Sequence, residues 1–222
     1  MMLRKLTGCC VIICLMIIET GCFQVEPAPK VVSQPQVEPL HLPDPVIIKH
    51  PQPAHTTTFG KVSGVPSQWL PPASVEKKWK AIVIHHSATD SGNATIFDKW
   101  HRENHDWDGV GYDFVIGNGS ESGNGQIEVT FRWRQQRVGA HCKTPNNWAN
   151  RSAVGICLVG NFDKTVPTKK QMQALVRLTR FLQRRYHIPK SRIYGHRTTP
   201  GARITHCPGM NFPMAKFKSM LP

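Results

Sequence analysis

The chain has 222 residues and carries 28 Lys and Arg against 14 Asp and Glu, a formal charge of +14. That length allows one substantial domain plus attachments, and so basic a surface calls for an anionic partner, whether nucleic acid, anionic lipid or an acidic wall polymer. Of the seven cysteines four fall within the first 22 residues, and the three that remain, Cys142, Cys157 and Cys207, suggest no disulfide framework.

Residues 1–22 read as an export signal. Arg4 and Lys5 supply positive charge, and Val11 to Ile18 form an apolar run too short to span a bilayer comfortably. Thr20, Gly21 and Cys22 close the segment in the manner of a bacterial lipoprotein cleavage site, where the cysteine becomes lipidated; Glu19 departs from the aliphatic residue usual there. The expectation is an exported protein of the cell envelope or periplasm, anchored at Cys22. Residues 23–72 hold eleven of the 18 prolines and predict an extended linker of polyproline II character.

A folded domain is expected over residues 73–222, with its first element near Trp79. Ala81 to His85, Tyr112 to Ile116 and Val154 to Val159 are apolar, β-branched runs that predict buried strands. Thr95 to Asn104 predicts a short helix with Thr95 as N-cap. Thr168 to Tyr186 predicts a longer one, with a capping box from Thr168 and Gln171 and an apolar stripe through Met172, Leu175, Val176, Thr179, Leu182 and Tyr186. Pro189 ends it, and Arg192 to Tyr194 predicts a last strand. Strands alternating with helices imply an α/β domain with a mixed central sheet flanked by helices. The basic clusters Arg132, Arg134 and Arg137, and Arg177, Arg180, Arg184 and Arg185, are expected to be solvated faces.

Histidine and cysteine provide the donors that zinc prefers. His85 and His86 end the first strand, and only one of them can face a given pocket, because adjacent strand residues point to opposite faces. His196 follows the last strand, and Cys207 lies in the loop Thr205-His206-Cys207-Pro208-Gly209. No close-range ligand motif links them. Composition and spacing therefore stop at an exported α/β domain with residues placed to hold a metal.

Six segments carry the reading further: Ile82-Val83-Ile84-His85-His86-Ser87-Ala88-Thr89, Gly109 to Ile116, Val138-Gly139-Ala140-His141, Val154 to Phe162, Gly195-His196-Arg197 and Cys207-Pro208-Gly209. In this order they resemble the N-acetylmuramoyl-L-alanine amidase type 2 family, which includes phage amidase lysozymes and animal peptidoglycan recognition proteins. The resemblance implies a zinc ion on His85, His196 and Cys207 with an open fourth position, the catalytic rather than the structural arrangement. His206 is the competing ligand beside Cys207.

The resemblance also implies catalytic support from Tyr112 and Thr205. Thr205 stands where phage enzymes carry lysine, and its hydroxyl donates without charge. Cys157 occupies the place of a glutamate proposed as general base in cytoplasmic relatives, which leaves the base open; Glu128 is the nearest other candidate by sequence. His141 and Asn161 match positions at the edge of the substrate cleft, and Arg203 could meet a stem-peptide carboxylate in a bidentate pair. The implied activity is zinc-dependent cleavage between N-acetylmuramic acid and L-alanine in peptidoglycan or muropeptides. A non-catalytic peptidoglycan-binding module of the same fold is the alternative. A monomer is expected, and a nucleic-acid partner is not, since the charge alone favours one and no DNA- or RNA-binding motif accompanies it.

Overall fold

A computed structural model describes residues 64–222. The expected export segment and most of the expected linker, residues 1–63, lie outside the described residues. The packed chain begins earlier than expected, inside the proline-rich stretch. Trp69 is only 2% exposed and belongs to the main core, so the boundary expected at 72–73 moves to the N-terminal side of it. An indole that can bury its ring against Phe181, 5.5 Å between centroids, outweighs the extended preference of its proline neighbours.

The described elements run in chain order as β1 (Ala81–His86), α1 (Ala94–His105), β2 (Phe114–Ile116), β3 (Ile127–Val129), α2 (Phe131–Arg134), α3 (Trp148–Ser152), β4 (Ala153–Leu158), α4 (Lys169–Tyr186), β5 (Ile193–Gly195) and α5 (Met214–Ser219). The five strands form one mixed sheet in the order β3-β2-β4-β1-β5, in which only β2 and β3 are antiparallel. The four expected strands are present. β3 was not anticipated: three residues are too short to show a convincing alternation.

The N-cap of α1 is Asn93, not Thr95. The Asn93 side chain accepts from the Ile96 amide at 2.7 Å, and the helix starts one residue before the threonine. α4 carries the expected capping box of Thr168 and Gln171. Its apolar stripe packs on Ile82, Ile84, Phe114, Ile156 and Leu158 and forms the main core.

Strand alternation then dictates where the chemistry lies. With Ile82 and Ile84 turned toward α4, His85 faces away from it, on the side of Val83 and Cys157. Two smaller clusters, one around Val83 and Ala153 and one around Val115 and Cys157, line that second side.

Candidate metal centre

His85 is the penultimate residue of β1, an interior strand of the sheet, and is 1% exposed. His196 opens a single 3-10 turn directly after the neighbouring β5. Cys207 comes from the loop beyond. Its carbonyl accepts from the Arg197 amide at 2.8 Å, which ties that loop to the His196 turn. Gly209 lets it close further: at φ +100°, any Cβ would lie 2.4 Å from the Phe162 carbonyl carbon. The ligand atoms of His85, His196 and Cys207 consequently lie within 4.8 Å of one another, with His85 Nδ1 3.5 Å from the Cys207 sulfur.

The neighbour of His85 fixes which nitrogen is free. His141 Nε2 lies 3.2 Å from the Ala153 carbonyl and must donate to it; this leaves His141 Nδ1 as an acceptor, 3.1 Å from His85 Nε2. His85 donates there, and its lone pair is left on Nδ1, toward the sulfur. Two glycines of the sequence motifs make room for this ring. A Cβ at Gly155 would fall 2.5 Å from His141 Cδ2, and one at Gly139 2.6 Å from the same atom.

Burial keeps these imidazoles neutral. It holds His85 well below its ordinary range, helped by the neighbouring His141, His196 and His86, and brings His141 down to about 3. His196 is lowered by burial and by Arg203. Burial also pushes the Cys207 thiol up to about 12, although the His86 backbone N–H opposes this, so the sulfur keeps its proton until a cation displaces it.

Tyr112, just before β2, places its ring 5.2 Å from that of His85. Burial, then the thiols of Cys157 and Cys207, raise its phenol well above the usual range, which makes it an O–H donor at neutral pH. Cys157 is the register partner of His85 on β4; it is fully buried, and burial holds its thiol protonated too. It is no base. Glu128 lies in the same row across the sheet, through Val115 and Cys157, three strands from His85 or about 14 Å at the usual strand spacing. Its carboxylate accepts from the Ala94 amide at the start of α1.

The family model for N-acetylmuramoyl-L-alanine amidase matches residues 75–210, more than half of the chain. The chain belongs to this family. Peptidoglycan-recognition protein 2 of Holotrichia diomphalia is 31% identical over 106 residues, 44% of this chain and 51% of that protein. The chain thus spans about half the length of that curated relative. Among solved structures, the N-acetylmuramoyl-L-alanine amidase LysC from Clostridium intestinale superposes with a TM-score of 0.55 at 31% identity, covering 70% of this chain and 93% of that one. Peptidoglycan recognition protein-LE in complex with tracheal cytotoxin, a monomeric diaminopimelic acid-type peptidoglycan, gives 0.51 at 25% identity, covering 65% and 82%.

Within this amidase-family domain a cleft of about 1200 Å³ opens beside His196, walled by Trp107, His141, Asn147, Arg151, Arg203 and Thr205. Arg203 is exposed on its rim. Thr205 Oγ1 accepts from the Cys207 amide at 3.1 Å, with its own proton still available to donate. His141 lines the cleft but is 6% exposed and has both ring nitrogens engaged inside, so an edge-of-cleft substrate contact gives way to support of His85. Asn161 lies outside the cleft lining; its side chain accepts from the Asp163 amide and shapes a turn. His206 is turned to Asp163, 3.9 Å away, and is not in the ligand set.

Trp107 was not singled out in the sequence, where an aromatic in a polar loop carries no distinguishing signal. Arg132 also departs from its expected solvated face. It is 2% exposed and donates to the Val110 and Val138 carbonyls and to Asp108.

Proposed function

We propose that this chain is a zinc-dependent amidase that hydrolyses the bond between N-acetylmuramic acid and the L-alanine of peptidoglycan stem peptides. The observation that carries the reading is the convergence of His85, His196 and Cys207, with His196 lining the cleft and the protonated Tyr112 beside His85. Zinc suits this donor set. In a tetrahedral centre a nitrogen and a sulfur ligand stand about 3.5 Å apart, from zinc bond lengths of about 2.0 and 2.3 Å, and His85 Nδ1 and Cys207 Sγ are 3.5 Å apart. When bound, zinc supplies Lewis acidity, polarising a carbonyl and acidifying water.

The chain's own residues do the rest. His141 holds His85 in the tautomer that offers Nδ1. The Tyr112 hydroxyl, kept protonated by its surroundings, donates to the oxygen on which charge develops as the amide is attacked, and the Thr205 hydroxyl can add a second, uncharged donor. Arg203 on the rim offers its guanidinium to a stem-peptide carboxylate. In our reading the protein works outside the cytoplasm, held to a membrane through residues 1–22 and lipid on Cys22.

The test is release of stem peptide from purified sacculi by the zinc-loaded protein. Peptides with free L-alanine amino termini are expected from the parent, with loss of at least about a hundredfold in rate in Tyr112→Phe and no release after chelation. Binding of sacculi without any release by a fully zinc-loaded parent would make the chain a recognition module instead.

A further inference from the structure

The face of the molecule opposite the cleft has a chemistry that amide hydrolysis does not use. α4 covers the far side of the sheet from His85, and its solvent-exposed positions include Lys169, Lys170, Arg177, Arg180 and Arg184, with Gln173 between them. No acidic residue occurs anywhere in the helix. Five cations at helical spacing over 16 residues make a stripe about 23 Å long at 1.5 Å per residue. A helix stabilised on its own account would intersperse acids at i and i+4; this one accepts unrelieved like-charge repulsion along its outer face.

Two of the cations are also held in place. Arg180 donates to the Met220 carbonyl, and the Arg177 guanidinium lies 5.4 Å from the ring centroid of Trp69. A hollow of about 220 Å³ beside the stripe is lined by Asn124, Gly125, Lys170, Gln173, Ala174 and Arg177, roomy enough for a phosphate group and with donors on Lys170, Gln173 and Arg177. Lys216 and Lys218 of α5 extend the charge past the Arg180 contact.

The same side is where the chain enters the domain. Trp69 packs against Phe181 of α4 and under Arg177, so the first residues of the described domain lie beside this stripe. We infer that the outer face of α4 docks on an anionic phospholipid bilayer. The domain would then rest with its charged helix on headgroups and its cleft, on the other side of the sheet, turned toward the wall. Each basic residue held near such a surface contributes about 1 kcal/mol, roughly a fivefold gain in partitioning.

The full chain, sedimented with vesicles of pure phosphatidylcholine or of phosphatidylcholine with 30% phosphatidylglycerol (about the anionic fraction that sets such surface potentials), tests this. The N-terminal segment, which carries Arg4 and Lys5, contributes equally in parent and variant, so the difference between the two reports the helix face. The parent should partition at least about tenfold more strongly onto the anionic vesicles, and 0.5 M NaCl (about a 4 Å Debye length) should abolish the preference. The variant Lys170→Gln/Arg177→Gln/Arg184→Gln should lose most of it while still releasing stem peptide from soluble muropeptides at the parent rate. An undiminished preference in a variant with parental thermal stability would overturn the inference. So would equal partitioning of the parent onto both vesicle types, including the case in which it is retained on soluble polyphosphate, which would assign the stripe to a polyanionic polymer. Should the triple variant unfold, the single variants Lys170→Gln and Arg184→Gln decide instead: each should lose part of the preference, and a parental preference in both would overturn the inference.

Discussion

His141 hands its Nδ1 lone pair to His85 and its Nε2 proton to Ala153, and in doing so settles where the lone pair of His85 points. Outer partners of this kind typically change metal affinity by about 10–100-fold. His141→Ala should therefore weaken zinc binding by about that factor in chelator competition, while His141→Asn, which keeps an acceptor near the Nδ1 position, should recover part of the loss. Equal affinity in parent and alanine variant would remove His141 from the centre. Asp113 makes a separate case. Its carboxyl accepts from the Gly155 amide at one oxygen, the other is buried without a partner, and burial raises it to about 7. The sign follows from linkage: a carboxyl whose folded pKa exceeds its unfolded value of about 3.9 contributes fully below that value and loses its contribution as pH rises through the folded one. Asp113→Asn cannot ionise. The melting temperature of the variant should thus gain on that of the parent as pH rises from about 4 to 7, then hold a constant lead; a difference that is flat over this range would mean that the buried carboxyl does not titrate there.

At the scale of elements, Glu76 shows how the N-terminal approach to the sheet is clasped to α4. Its two oxygens accept from Arg185 Nε and Nη2, each at 2.6 Å, and the Tyr186 hydroxyl donates to one of them at 2.6 Å. Burial opposes the charged carboxylate, but these partners outweigh it and leave the pKa below its ordinary value. Glu76→Gln should cost about 1–3 kcal/mol at neutral pH, read as a lower melting temperature. Because the folded pKa is depressed, that gap should close as pH falls through it, and a gap that persists in strong acid would point to lost packing instead. The sequence groups Arg185 with Arg177, Arg180 and Arg184 on a solvated face, because periodicity gives the exposed side of α4 but a partner 109 residues away does not show in it. The same limit explains Arg132, buried by carbonyls on two different loops. Elements with their own signal, such as the capping box of α4 and the β-branched runs of β1 and β4, were legible because local chemistry alone sets them. The convergence of His85, His196 and Cys207 was legible only through the resemblance of six segments, since no spacing rule connects His85 to a cysteine 122 residues on. That His141 is spent on His85 depends on the β1–β4 register and two motif glycines, which the sequence displays without explaining.

For the whole molecule, the sheet separates two tasks. The main core, from Trp69 through Ile84 and Phe114 to Phe181, lies on the α4 side and includes none of the three ligand residues. On the other side the clusters are small, and the loops carrying His196 and Cys207 are held by hydrogen bonds such as that of Arg197 with the Cys207 carbonyl. A metal there would bind the native arrangement and not the unfolded chain, so it adds RT ln(1 + [Zn]/Kd), about 2.7 kcal/mol at a hundredfold excess over Kd. For a domain of this size each kcal/mol moves the melting temperature by about 2–4 °C. Chelation is accordingly expected to lower it by about 5–10 °C, while the far-UV circular dichroism at room temperature stays that of the parent, because the core that forms the sheet does not depend on the ligand loops. The reprotonation of Cys207, whose thiol sits at about 12 without a cation, should make zinc affinity fall as pH is lowered. A melting temperature indifferent to chelator would mean that the three side chains hold no ion in the folded protein; loss of the far-UV signal would mean that metal and sheet fold as one unit, with the sulfur loop acting as a keystone of the whole domain.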